Sequence, residues 1–339
     1  YEIPLRLVGS EMCIRDRNYS TGGIMKKSLV VLGITLIIVG CLFLYQDELQ
    51  KAYYSLLRNF TQEEITLVKN KYYRDYDFNF VQNTLKMEPE NRQDLLNVFY
   101  TIINSGAEDF AFYCPDSYSS CLQEVENLAN DQDLLSHINN FVHPFNGFNH
   151  IETQYDSLGK VSIHIEKSYS KKQIQQIEEK VNELANQLIV SGDSDINNIR
   201  RIHDYIINHT IYDSDRSDYN ITTYDSDIAY GPLFQGYGIC GGYTDAMELF
   251  LEEMGIKSYK ISSEQHVWNA VYIDGKWLHL DLTWDDPVVS TGENLLEHNF
   301  FLIDTPTLLT LEQTEHIYNQ SIYSLSLIHI SEPTRRRGI

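Results

Sequence analysis

The segment HVWNAVYIDGKWLHLDLTW, His266 to Trp284, leaves little room for anything but a tight β-hairpin. Two runs rich in β-branched and aromatic residues flank Asp274-Gly275, a dipeptide that favours a two-residue turn with both residues at positive φ. That turn sets a register in which Ile273 faces Lys276, Tyr272 faces Trp277, Trp268 faces Asp281 and His266 faces Thr283. His266 and Asp281 then become diagonal neighbours on one face, with Cβ atoms about 7 Å apart, within reach of an imidazole–carboxylate hydrogen bond. A slip of one residue would place them on opposite faces. A carboxylate on one ring nitrogen fixes the tautomer and leaves the other nitrogen free to take a proton from a nucleophile. His279 shares that face opposite Ala270 and is a second candidate base, and Asp285 and Asp286 beyond the strand are alternative orienters.

A nucleophile stands upstream. Tyr243, Ala246, Met247, Phe250, Leu251 and Met254 recur at helical spacing, Gly255 is the natural stop, and Cys240 opens the helix. A thiol at a helix N-terminus meets unpaired amides and the positive end of the dipole, which favour thiolate and can also stabilise an oxyanion. Gly241 and Gly242 are expected to leave the sulfur sterically open to a substrate. The competing reading of Cys240 is a small buried hydrophobe at the start of a core helix.

Around these motifs the chain reads as mixed α and β. An amphipathic helix is expected over 170–190, and a second, capped by Ser194 or Asp195, carries Ile196, Ile199, Ile202 and Ile206 inward beside His203, a hydrogen-bonded core histidine. Tyr212 to Gly238 reads as a long acidic loop at the rim of the site. Its run DSDRSDYNITTY fails as a calcium loop, because Asp218 stands where glycine is needed and Tyr224 where glutamate is needed. No phosphate-cradling glycine loop or Cys/His zinc spacing is present, so no metal and no cofactor are expected. Residues 47–168 read as an α+β region of unassigned role, opening with a helix over 47–68 and including a helix near Asp94–Ile103 and a strand at Val161–Ile165.

Residues 1–24 and 324–339 resemble translated adapter read-through and are set aside from the fold. From Met25, Lys26 and Lys27 precede an uncharged, mostly apolar run, Ser28 to Tyr45, that reaches about 27 Å at ~1.5 Å per residue. A transmembrane signal-anchor over 25–46 is expected, with the following chain outside the cytoplasm; a lipoprotein lipidated at Cys41 and a cleaved signal peptide are the rival readings. In an exported chain Cys114 and Cys121 either pair or stay free, and Cys240 is the odd thiol. A formal net charge of −22 repels phosphate backbones and argues against nucleic acid as a partner.

YGPLFQGYGICGGYTDAMELFLEEMGI (Tyr230–Ile256), followed by HVWNAVYIDGKWLHLDLTWDDP (His266–Pro287) and preceded by IHDYIINHTIYD (Ile202–Asp213), resembles the core of bacterial transglutaminase-like proteins, relatives of the papain-fold cysteine peptidases. The resemblance implies an α+β fold over 169–323, with the nucleophile helix packed on an antiparallel sheet. It makes Cys240 the nucleophile, His266 the general base and acid, and Asp281 the orienter, with no cofactor. Gln235, five residues before Cys240, resembles the papain-type oxyanion glutamine but at a different spacing, and is otherwise a loop residue. The expected function is acyl transfer from amide bonds of envelope proteins or peptides, to water or to an amine. The alternative is a non-catalytic envelope scaffold that keeps the fold.

Overall fold

The computed structural model describes residues 21–46, 48, 49, 52, 53, 56, 66–156, 158–288, 295–312 and 314–324. Most of the two ends set aside above lies outside those residues. The chain divides into two compact units, Tyr1–Glu63 and Glu64–Ile339.

In the first unit one helix, α1, spans Thr21–Leu44. Among the described residues no helix is long and apolar enough to cross a membrane, so the transmembrane helix expected over 25–46 is not found there. From Val30 to Leu44 the side chains of this helix are mostly exposed. Of the helix expected over 47–68, residues 48, 49, 52, 53 and 56 are helical, whereas 66–68 are irregular.

The second unit begins with α2 (Arg92–Ser105), α3 (Cys121–Asn130) and α4 (Gln132–Asn139) around an antiparallel sheet of β1 (Asp109–Tyr113), β2 (Phe148–Tyr155) and β3 (Lys160–Lys167) in the order β1-β3-β2. Asn91 caps α2 by accepting from the Asp94 amide, and Gly106 at φ 80° ends it in the left-handed conformation. Cys114 and Cys121 form a disulfide, settling the question that spacing left open.

Next come α5 (Lys171–Leu188) and α6 (Asp195–His209), each opened by a serine cap. Ser170 and Gln173 form a reciprocal capping box, and Ser194 accepts from the Asn197 amide. The stretch from Tyr212 to Gly238 is not a structureless loop. Asp213 caps a short helix, α7 (Ser214–Tyr219), a wide helical turn covers Gly231–Gln235, and strands β4 (Ile211–Tyr212) and β5 (Tyr237–Gly238) pair in parallel. These elements are short and locally capped, and hydrophobic periodicity does not register such pieces.

Helix α8 (Cys240–Glu253) is followed by an antiparallel sheet of β6 (Ser258–Ser262), β7 (Val267–Ile273) and β8 (Lys276–Leu280), and a last helix α9 (Thr305–Leu311). The β7–β8 turn has Asp274 at φ 50° and Gly275 at φ 77°, the geometry that Asp-Gly favours, and it fixes the pairs Ile273–Lys276, Tyr272–Trp277 and Ala270–His279. Strand alternation divides β7 between two cores. Val271 and Ile273 pack with Tyr243, Met247 and Phe250 of α8 and with Ile199 and Ile202 of α6. Trp268 and Ala270 pack with Phe99, Phe141 and Tyr323. The sheet is therefore buried on both faces, and the core contributed by residues 78–165 runs across residue 168 to residues 259–323. A buried ion pair also joins the early segment to α8: Arg74 meets Glu248, and its Nη1 donates to the Phe141 carbonyl at 3.1 Å.

Candidate active site

Three elements bring the site together. Helix α8 presents Cys240 in its first turn, the residue before β7 is His266, and the residue after β8 is Asp281. The tight hairpin places the last two side by side, and His266 Nε2 lies 2.5 Å from Asp281 Oδ2. Because a carboxylate only accepts, Nε2 carries the proton and Nδ1 is left for the nucleophile. Cys240 lines the same cavity as this ring and is close enough to it to add to the upward shift of its pKa. Trp268 lies nearly parallel to the imidazole, ring centroids 5.6 Å apart and 15° between planes, which holds its orientation.

Electrostatics follow from this packing. Burial alone would push the His266 ring down, but the Asp281 carboxylate, with a smaller contribution from Cys240, outweighs it and raises the ring to about 10. Burial would likewise push the Asp281 carboxyl up; the His266 and His316 rings overcome that and hold it well below the usual carboxylate range. Asp281 Oδ1 accepts from the amides of Thr283 at 2.9 Å and Trp284 at 3.2 Å.

His316 is the functional candidate that sequence reasoning missed. Its Nε2 lies 2.8 Å from the same Asp281 Oδ2, and its Nδ1 lies 3.1 Å from Glu312 Oε2. The row Glu312–His316–Asp281–His266 is thus continuous, and His316 is fully buried in it. The one available signal was an i, i+4 Glu–His pair near the chain's end, and nothing in its spacing tied it to Asp281.

The remaining expected residues take other roles. His279, the second candidate base, accepts from Trp268 Nε1 at 3.0 Å and meets Thr305 Oγ1 at 2.9 Å; burial and the neighbouring His316 lower it to about 4. It is a neutral structural ring. Asp285 serves His203, at 3.1 Å, rather than His266, and His203 is the buried hydrogen-bonded histidine expected of it. Asp286 accepts from the Tyr243 hydroxyl at 2.5 Å, and burial raises its carboxyl to about 6. Gln235 accepts from the Asp225 amide at 2.7 Å through its side-chain oxygen, and it is not among the residues lining the cavity at Cys240. The glycines after Cys240 also do something other than expected: a Cβ at Gly241 would meet the Asp227 carbonyl at 2.7 Å, and one at Gly242 the Ser226 carbonyl at 2.3 Å. They admit the 225–228 loop against the helix start rather than leaving space for substrate.

Substrate access lies on another side. A cavity of about 380 Å³ opens onto Cys240 and His266, walled by Tyr212, Gln265, Trp284 and Asp286.

The transglutaminase-like superfamily matches over residues 182–282, a range that contains Cys240, His266 and Asp281. Residues 182–282 form a transglutaminase-like domain. The mouse kyphoscoliosis peptidase is 28% identical over 153 residues, covering 38% of this chain and 22% of the relative, so the chain spans about a fifth of that protein's length. A crystal structure of a TGase superposes with a TM-score of 0.31 at 14% identity, covering 40% of this chain and 45% of the other. In this transglutaminase-like domain the antiparallel sheet β6-β7-β8 backs the helix that begins with Cys240, which is the α+β arrangement expected from the resemblance.

Proposed function

We propose that the transglutaminase-like domain is a cysteine acyl-transfer enzyme acting on amide bonds of envelope proteins or peptides, anchored at the membrane by its N-terminal segment with the domain outside the cytoplasm. The observation that carries the reading is the 2.5 Å contact between His266 and Asp281 beside a thiol at a helix N-terminus, with Cys240 and His266 opening onto one cavity. The disulfide Cys114–Cys121 supports an oxidising location, where such bonds persist.

In the proposed reaction Cys240, its proton held by His266, attacks the amide carbonyl through sulfur. The carbonyl oxygen takes the negative charge beside the first-turn amides of α8, which lack acceptors within the helix. His266 then gives its proton to the departing nitrogen as the carbon–nitrogen bond breaks, leaving a thioester on Cys240. Water, deprotonated by the same ring, releases the acid and restores the thiol. Asp281 keeps the Nε2 proton in place throughout, so that Nδ1 faces the reacting atoms.

Intact mass spectrometry of the full chain mixed with envelope peptides tests this. The expected result is an acyl adduct on Cys240 and an amine product, both absent from Cys240→Ala. A Cys240→Ala protein that restores every phenotype of a deletion strain would instead leave a scaffold role standing.

A further inference from the structure

A second histidine–carboxylate cluster lies outside the triad, where helix α6 meets residues 298–301. His203 Nδ1 is 2.9 Å from Asp204 Oδ1, and His298 Nε2 is 2.7 Å from the same oxygen. All three ligand-capable atoms lie within 4.8 Å of one another. The two rings stack at 5.1 Å between centroids, with Phe301 edge-on to both.

A second carboxylate stands behind His203. Its other nitrogen, Nε2, is 3.1 Å from Asp285 Oδ2, and Asp285 Oδ1 is fixed by the Phe300 amide at 2.9 Å. The side chains of His203 and Asp285 are both 0% exposed. A divalent ion at Nδ1 leaves the proton on Nε2. His203 is then neutral, with its Nε2–H donated to a buried carboxylate behind it, which is how a metal-bound imidazole is ordinarily oriented.

We infer that His203, Asp204 and His298 form a site for a divalent cation of the zinc class. Two imidazole nitrogens and one carboxylate oxygen suit zinc among the common divalent ions, and hard oxygen-seeking cations such as calcium would not choose them. Asp204 and His298 remain 32% and 33% exposed, leaving a fourth position open to water. The site ties α6 to the chain just after the rim of the Cys240 cavity, since Asp285 adjoins Asp286, Pro287 and Val288 of that rim and its carbonyl accepts from the Glu297 amide at 2.8 Å. The ion therefore pins the rim from behind. No local spacing announces it, because 94 residues separate Asp204 from His298.

Zinc titration of the chelator-treated full chain tests the assignment, with Cys240→Ala as background so that the catalytic thiol is no ligand. One equivalent is expected to bind, with affinity weakened about tenfold or more by His298→Ala and by Asp204→Asn. Both side chains are partly exposed, and thermal unfolding in chelator shows whether each variant keeps its fold. His316→Ala is expected to leave zinc affinity unchanged. Absence of binding, or binding that survives both His298→Ala and Asp204→Asn but is lost in His316→Ala, overturns the assignment.

Discussion

Asp281→Asn exchanges a carboxylate oxygen for an amide with almost no change in volume, and the geometry fixes the consequence. Asp281 Oδ2 accepts from two imidazoles, at 2.5 and 2.8 Å, and Oδ1 from two backbone amides. Asparagine has one acceptor and one donor group, so whichever way it is turned, N–H groups face N–H groups. His266 relieves the clash by moving its proton to Nδ1, the nitrogen that should face the Cys240 sulfur. Two charge-assisted hydrogen bonds at about 1.5–3 kcal/mol each are weakened, and a buried charge loses its partner, so stability should fall by about 3–5 kcal/mol. A domain with ordinary reserves of ~5–15 kcal/mol still folds at reduced temperature. There, alkylation of Cys240 by iodoacetamide near neutral pH should slow by about 10²-fold, and turnover by about 10²–10⁴-fold. A variant that loses the stability but keeps both rates would refute the role of Asp281 in setting the His266 tautomer.

Other outcomes follow from the same contacts. His316→Gln should leave Asp281 with one fewer charge-assisted donor and lower the urea midpoint by an amount equivalent to about 1.5–3 kcal/mol, with a larger effect on kcat than on KM; an unchanged kcat would reduce His316 to packing. His266 is raised to about 10 in the folded state against ~6.5 unfolded, so its ion pair contributes fully below about pH 6.5 and is lost as pH rises through about 10; urea midpoints should decline across that alkaline window, and a flat profile would contradict the pair. Asp286 runs the opposite way, since a carboxyl raised to about 6 costs stability once ionised. Asp286→Asn should gain about 1–3 kcal/mol at neutral pH, with the gain vanishing below about pH 4, as calorimetry at the two pH values would show.

How much of this was legible in the sequence depended on distance along the chain. Asp274-Gly275 fixes its neighbours within a few residues, so the register, and with it the meeting of His266 and Asp281, could be counted from the turn. The helix behind Cys240 was equally plain, because a repeated apolar period needs no knowledge of its partner. What the sequence concealed were contacts closed by the whole fold. His316 reaches Asp281 across 35 residues, and Arg74 reaches Glu248 across 174. The role of Gly241 and Gly242 depends on a loop carbonyl whose approach no local pattern encodes, and residues 78–165 join residues 259–323 through the far face of β7. Gln235 stands out by type and nearness to Cys240, and its side-chain oxygen accepts from the Asp225 amide, a contact that no local pattern encodes.

The described residues contain two free thiols, Cys41, which is exposed, and Cys240, which is only partly so. Limiting iodoacetamide near neutral pH, followed by peptide mapping, makes them compete. Activation by His266 and Asp281 predicts that Cys240 is alkylated first and that His266→Ala abolishes its lead. Label collecting first on Cys41, in order of exposure and unaffected by His266→Ala, would contradict the catalytic reading.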